Sequence, residues 1–454
     1  MDQTLIWQWI LVAGFGLLFF LIAPVSRTVA SFFSASSGQG RQPNAFLLTS
    51  SLVISWIFAK SITNAANLGL SFGIVGGVAY GVYYLSFVVA GMIIYQLRVQ
   101  GKFKSIHDYL RQRFGQSAVV IFSLLVGIRL YNEVWSNTMV IGSYFGDAGS
   151  TQYYAAILVF TALTLAYTLK GGLRSSLLTD AIQMVLFGVL LFVVLGLIMP
   201  KTEGGFTTYL SSGEWGLATG VNLLLVAFIQ IFSYPFHDSV MTDRGFISDP
   251  RTTRKSFLWA AVIGFVCILL FSFVGIYAQT EGLEGQAAVE VSKLLGVGAM
   301  LVMNFIMVTS AASTLDSAFS SAAKMAVMDL GKVEQQSVRR GRWVMIFFAI
   351  AGTLPIFANP EILSATTISG TMVLGLAPVF LLWKVRAGAL SFHLAVGVGV
   401  VFGILLALDA VPESWVWFPG KYGDLLSVNI LGTVLCFVLF LLPVALGVNV
   451  QRDT

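Results

Sequence analysis

Residues 45–70 read AFLLTSSLVISWIFAKSITNAANLGL, an apolar run whose second half carries Lys60, Ser61, Asn64 and Asn67, with Gly69 and Gly73 close behind. A bilayer core about 30 Å thick takes roughly 20 apolar residues per helix. The run is therefore long enough to cross, yet it sets polar side chains at mid-membrane depth. Unpaired backbone in hydrocarbon costs several kcal/mol per group, so irregular helix survives there only against protein or a water-filled cavity. A second stretch has the same character: Ser233-Tyr-Pro235-Phe-His237-Asp238 puts a proline inside an apolar run. These two interrupted spans decide the fold.

Working outward from them, thirteen runs qualify as spans: Thr4–Pro24, Ala45–Leu70, Gly73–Leu97, Ala118–Gly142, Gln152–Leu169, Leu177–Met199, Gly216–Met241, Ser256–Ala278, Val297–Lys324, Trp343–Phe357, Ile362–Trp383, Leu390–Leu408 and Leu425–Val448. The interrupted second and seventh spans lie five apart and each opens a group of five, the pattern of carriers built from inverted repeats. The expected architecture is an all-α polytopic membrane protein: residues 1–44 a leading helix and loop, 45–199 repeat one, 216–383 repeat two, and 384–454 two trailing helices. The plainer alternative is two ordinary kinks in a helical bundle, since proline is common in membrane helices.

Composition agrees with a membrane chain. Of 454 residues 57% are hydrophobic and 10% charged, against about 25% charged in a soluble domain. Cys267 and Cys436 sit inside apolar runs, as inert thiols rather than a disulfide or metal site. His107, His237 and His393 show no metal-ligand spacing, which argues against a metalloenzyme. The start, Met1 to Leu5, has an acidic residue and no basic segment, so it reads as a first span rather than a cleaved signal peptide. Lys104–Gly115 is amphipathic and reads as a surface helix, and the loop Gln279–Gly296 is expected to carry a short helix.

Basic residues orient the chain. With the N-terminus outside, 21 of the 26 Lys and Arg fall on the cytoplasmic side, among them Arg41, Arg98, Lys104, Arg244, Lys324, Lys332 and Arg452. Three fall outside (Lys201, Lys293 and Lys421), and Lys60 and Arg129 lie within spans. The expected topology is N-out and C-in across the cytoplasmic (inner) membrane. The +5 net charge then reflects topology, with no hint of nucleic-acid binding.

Intramembrane ionisable residues are rare and functional by default. Here they are Lys60, Arg129, Glu133, Asp180, Asp238 and Asp316. Ser310, Ser313, Thr314 and Ser317 of the ninth span share one helix face beside Asp316. Hydroxyls and freed carbonyls are the oxygen ligands a hard cation such as Na+ prefers, although serines also line plain helix contacts. Arg129 and Glu133, at i and i+4, read equally as an intrahelical ion pair or as solute ligands. Lys60 needs a counter-charge from Asp316, Glu133 or the solute.

The stretch from Tyr167 through Gly171, Gly172, Thr179 and Asp180 to Gln183 resembles the Y-T-x-x-G-G-L…T-D-x-x-Q signature of the sodium/solute symporters. The ninth span is similar to that family's S-[ST]-L sodium motif, Lys104–Gly115 to its D-Y-L-x-x-R-F-G segment, and Asp243-Arg244 to its D-R pair. The resemblance implies a LeuT-type fold, thirteen helices and alternating access driven by Na+. It implies a sodium site of backbone oxygens near Ile54 and Ile57 with Ser310, Ser313 and Thr314. It also implies a second cation or coupling position at Asp180, with Ser313, Asp316 and Ser317. Lys60 and Asp316 depart from the family pattern, and an ion pair between them would leave one coupled Na+.

The solute is expected between the second, fourth, seventh and eleventh spans. Trp56, Ser61, Asn64, Glu133, Asn137, Tyr234 and Thr367, with Thr366 and Thr371 nearby, are the candidate contacts. Both charge signs line this region, which suits a zwitterion, while a carboxylate or a neutral polar solute stays open. The rivals are a proton-coupled or uncoupled carrier on the same fold, and a membrane solute sensor, for which the tail Asn449–Thr454 is too short to relay a signal. No nucleophile–base–orienter arrangement suggests an enzyme. The G-x-x-x-G of Gly73–Gly77 reads as internal packing rather than a dimer contact.

Overall fold

Where the chain runs apolar for twenty residues it has one way to satisfy its backbone in lipid, and the computed structural model is accordingly helical throughout its spans. It describes residues 3–34, 42–331 and 333–448. Arg41, Lys332 and Arg452 of the orientation count, and residues 449–454, lie outside the described residues.

Among the described residues ten helices are long and apolar enough to cross a membrane, or eleven when the bent pair Ala45–Ile54 and Ala59–Phe72 counts as one span. Thirteen uninterrupted spans are not found. The seventh segment is Val221–Gln230, a 3-10 turn at Tyr234–His237 and a short helix Ser239–Arg244. The eleventh is Ser364–Met372 followed by Leu376–Leu381. Each segment is broken into pieces too short to cross alone. The break in the eleventh, between Met372 and Leu376, falls between the polar run of residues 366–371, expected to be the polar start of one continuous span, and Pro378. The surface helix ends at Gly115, whose φ of +84° separates it from the fourth span within Ile106–Gly142. The loop Gln279–Gly296 carries the expected short helix, Ala287–Leu295.

The break in the second span lies at Ser55–Phe58, with a 57° bend. Sequence pointed instead to Ser61–Asn67, which is regular helix. The difference has a tertiary cause. The Tyr84 hydroxyl donates to the Trp56 carbonyl (2.7 Å), the Ser310 hydroxyl donates to the Ile57 carbonyl, and helical bonding resumes from the Phe58 carbonyl. Neighbouring helices thus supply the partners that the broken backbone lost, and a polar Lys-Ser-Asn face needs no break to be buried.

Two small-residue contacts let the eighth span approach the second and third. The eighth span packs on the second where Gly275 faces the Ala66 carbonyl, too close for any side chain. Gly77 meets Ser272 within the bundle, so the G-x-x-x-G packs internally. The ninth span packs on the sixth along its length, which brings the hydroxyl-rich face to the Thr179-Asp180 pair.

Candidate functional site

Among the described residues, the buried charges and hydroxyls of the expected ion and solute positions gather mainly at three centres. The first is at the break of the second span. Ile57, just past the helix end at Ile54, accepts from the Ser310 hydroxyl, and Thr314 Oγ1 donates to the Ser310 carbonyl (3.0 Å). A freed carbonyl, a helix carbonyl and two hydroxyls therefore meet at one place, all buried. Ser313 turns the other way, donating to Asp180 Oδ1 at 2.5 Å.

The second centre surrounds Asp180 and Asp316. Asp180 pairs with Arg244 (Nη2 to Oδ2, 3.0 Å), both fully buried. The Ser51 hydroxyl also donates to Asp180 while accepting from Arg244 Nε. Asp316 accepts from Ser176 (2.8 Å), Tyr167 (3.0 Å), Thr179 (3.0 Å) and Ser317 (3.3 Å). The signature residues Tyr167, Thr179 and Asp180 are thus what the ninth span docks against. Among the described residues no lysine pairs with Asp316. The expected Lys60–Asp316 pair is not formed, because Lys60 is held elsewhere, and Lys60 stands apart from the second cation position. Arg244 also leaves the topology count. It is buried and paired, so it is not a loop charge.

The third centre is a buried tetrad. Lys60 Nζ meets Glu133 Oε1 at 2.8 Å, Arg129 Nη1 meets the same oxygen, and Arg129 Nη2 reaches Asp238 Oδ2 at 3.3 Å. The Trp56 indole donates to Asp238 Oδ2 (2.8 Å), and Asp238 Oδ1 caps Ser239–Arg244 through the Met241 N–H. Asn137 donates to Glu133 Oε2 and accepts from the Lys60 N–H. The Arg129 guanidinium lies about 5 Å from the Phe58 and Tyr234 rings, a stacked cation. Two cations and two acids balance, as a dry interior requires. Arg129 Nε and His237 Nε2 are buried and find no hydrogen-bond partner among the described residues.

Of the expected solute contacts, Trp56, Glu133, Asn137 and Tyr234 gather at this tetrad. Ser61 and Asn64 share the Tyr80 hydroxyl instead, at 3.2 and 3.3 Å. Thr367 belongs to a separate network, its carbonyl accepting from Gln230, whose side chain also meets Tyr83, Thr371 and Asn429. Sequence reasoning missed Gln230, Tyr80 and Asn429, which carry no charge, and Arg244, which stands just past an apolar run. The counter-charge that a buried Asp180 needs is the signal that could have found Arg244.

Two clefts approach the tetrad from opposite ends. One, about 340 Å³, is lined by Asn64, Met139, Glu361, Ile362 and Lys421. The other, about 380 Å³, is lined by Lys104, His107, Thr242, Asp243 and Lys324. Lys60, Arg129, Glu133 and Trp56 are buried and line neither.

Residues 32–212 match the Sodium:solute symporter family. The chain is 27% identical over 202 residues to sodium/glucose cotransporter 1 of Mus musculus, which covers 43% of this chain and 29% of that protein. The chain thus spans about three-tenths of the length of the curated relative it matches. Its fold is similar to that of a Na+-coupled sialic acid symporter in a substrate-bound outward-open state, with a TM-score of 0.76 at 15% identity over 98% of this chain and 99% of that one. It is also similar to Mhp1, a nucleobase-cation-symport-1 family transporter, with a TM-score of 0.59 at 13% identity over 95% and 97%. The fold is LeuT-type, the protein is a multi-pass membrane protein, and the proteins it resembles are transporters rather than enzymes.

Proposed function

We propose that this chain is a Na+-coupled symporter that moves a small polar solute by alternating access. The observation that carries the reading is the break at Ser55–Phe58, where the Ile57 carbonyl meets the Ser310 hydroxyl. An ion here would take oxygens from Ile54, Ile57, Ser310 and Thr314, and from Ser313 once its hydroxyl turns away from Asp180. Loosening a helix inside a membrane is costly unless the freed groups are used, and a coupling ion is a use that also explains the hydroxyl-rich ninth helix.

The solute is assigned to the tetrad, between Trp56, Glu133, Asn137 and Tyr234 on one side and Arg129 and Lys60 on the other. Because the tetrad is neutral as a unit, a neutral or zwitterionic solute enters without leaving a net charge behind. Arg129 Nε and His237 Nε2 are the free polar positions a solute would engage. The repeats are taken as residues 45–199 and 216–383, rocking about these breaks. The cleft at Lys104 and Lys324 faces the cytoplasm and the one at Glu361 faces outside, with N-out and C-in topology in the cytoplasmic membrane.

Purified protein in proteoliposomes, screened against labelled amino acids, sugars, carboxylates and urea with and without an inward Na+ gradient, tests this. Uptake of one solute class that requires Na+ at fixed pH and voltage is expected. Uptake driven equally by a proton gradient without Na+ would replace the reading with proton coupling.

A further inference from the structure

We propose that a cavity beside the leading helix binds the phosphodiester headgroup of a membrane phospholipid, which braces the helix Ala287–Leu295. The inference goes beyond the Na+-coupled reading and does not depend on which ion drives the carrier.

The cavity holds about 440 Å³ and lies among the leading helix, the residues just past the fourth span and the start of the ninth. Its depth follows from the helices that wall it. Thr4 and Val297 stand at its rim, and Gln8 and Met300 lie three or four residues further in, about 4.5–6 Å along a helix axis. The zone between hydrocarbon and water is about 5–8 Å thick on each side of a bilayer. Lipid headgroups occupy that level.

Three features here suit an anion. The ninth span starts at Val297 with no side-chain cap, so the first N–H groups of a 28-residue helix lack intrahelical partners, and Gly296 and Val297 set that end on the cavity. Tyr144 is 6% exposed and lines the cavity, and its hydroxyl finds no hydrogen-bond partner among the described residues. Its neighbour Ser292 gives its own proton to the Ala288 carbonyl (2.6 Å). Lys293 adds an exposed ammonium. The acid it meets, Glu290 at 2.8 Å, lines a different cleft, and no acid is among the described residues that line the cavity. A buried donor without an acceptor is costly, and phosphodiester oxygens accept without needing a donor in return. Leu5 and Met300 offer the acyl chains an apolar wall.

The helix Ala287–Leu295 carries Ser292 and Lys293 into this cavity, and its Ala287 N–H donates to Asn67 Oδ1 of the second span (3.0 Å). A headgroup held at Tyr144 and Lys293 therefore fixes one end of a helix whose other end is tied to the broken span.

Native mass spectrometry of the purified full-length protein in detergent, titrated with palmitoyl-oleoyl-phosphatidylglycerol, tests this. One lipid per chain is expected to bind ahead of the rest. Tyr144→Phe should weaken that first binding by about tenfold and Lys293→Gln by about threefold. Lys421→Gln, which removes an exposed cation at the cleft of Glu361, should leave it within about twofold. Because Lys293 is exposed, its arm stands if Tyr144→Phe does not fold. Hydrogen exchange over residues 287–295 should slow when the lipid is added. No preferred lipid, wild-type affinity in either site variant, an equal loss in Lys421→Gln, or displacement by palmitoyl-oleoyl-glycerol, which lacks the phosphate, each overturns the headgroup site. Displacement by inorganic phosphate alone overturns the lipid as its source, and unchanged exchange overturns the bracing.

Discussion

At the scale of single residues, the interior separates charges that balance from oxygens that have no charge of their own. Ser310 and Thr314 belong to the second kind. Each contributes a hydroxyl where a freed carbonyl already stands, and a polar contact to an ion is worth about 1.5–3 kcal/mol. Ser310→Ala and Thr314→Ala are therefore expected to raise the Na+ concentration for half-maximal uptake by roughly 10- to 100-fold. Solute affinity at saturating Na+ should stay near wild type, and a Na+ titration of uptake measures both. The tetrad is of the first kind. Removing one partner from a buried pair costs about 3–5 kcal/mol because the other charge is left uncompensated. Glu133→Gln leaves Lys60 and Arg129 facing Asp238 alone, so it should unfold at a clearly lower temperature in detergent. Lys60→Met combined with Glu133→Gln restores neutrality, with Arg129 still on Asp238. The double variant should accordingly be more stable than Glu133→Gln alone, a departure from additivity that a double-mutant cycle measures.

At the scale of elements, what sequence made legible followed the cost of polar groups in lipid. Asp180, Asp316, Glu133 and Lys60 stood out because ionised groups at that depth are rare, and Pro235 marked the seventh break because it cannot continue a helix. The break at Ser55–Phe58 was hidden because its stabilising partners, Tyr84 and Ser310, are distant in sequence. A bulky apolar Ser-Trp-Ile-Phe carries no local signal of irregular backbone. Lys60 was correctly singled out and wrongly paired, since distance along helices does not say which of two acids faces it. The junction of the fifth and sixth helices was legible as a Gly-Gly motif, and its reason is visible in the backbone. Gly172 has φ +56°, and a Cβ there would stand 2.9 Å from Cγ of Phe32. Left-handed backbone costs an L-residue about 1–2 kcal/mol, so Gly172→Ala is expected to lose at least that much stability. It should also weaken Na+ coupling, because this turn sets the depth of Thr179 and Asp180. Thermal unfolding and Na+-dependent uptake of the same preparation separate the two effects.

At the scale of the whole molecule, the charge-neutral tetrad is buried and lines neither of the two clefts, and a carrier differs from a channel in never opening both at once. Cys267 and Cys436 are both buried, so introduced cysteines report alone. Glu361→Cys, in the first cleft, should react with a membrane-impermeant maleimide applied to intact cells. Lys104→Cys, in the second, should react only after permeabilisation; the reverse pattern would invert the topology read from the basic loops. Deeper positions then report the conformational balance. Met139 and Thr242 line opposite clefts and both are largely buried. Bound Na+ shifts the balance only by its differential affinity for the two states. An ion that enters from outside and bridges the second and ninth spans favours the state open to that side. Saturating Na+ should raise labelling of Met139→Cys and lower that of Thr242→Cys together, each by roughly fivefold or more, the lower end of ordinary coupling energies. A rise at both positions would mean a continuous path through the tetrad. No change at either would mean that the oxygens at Ile57 and Ser310 bind no ion that the conformational equilibrium can sense.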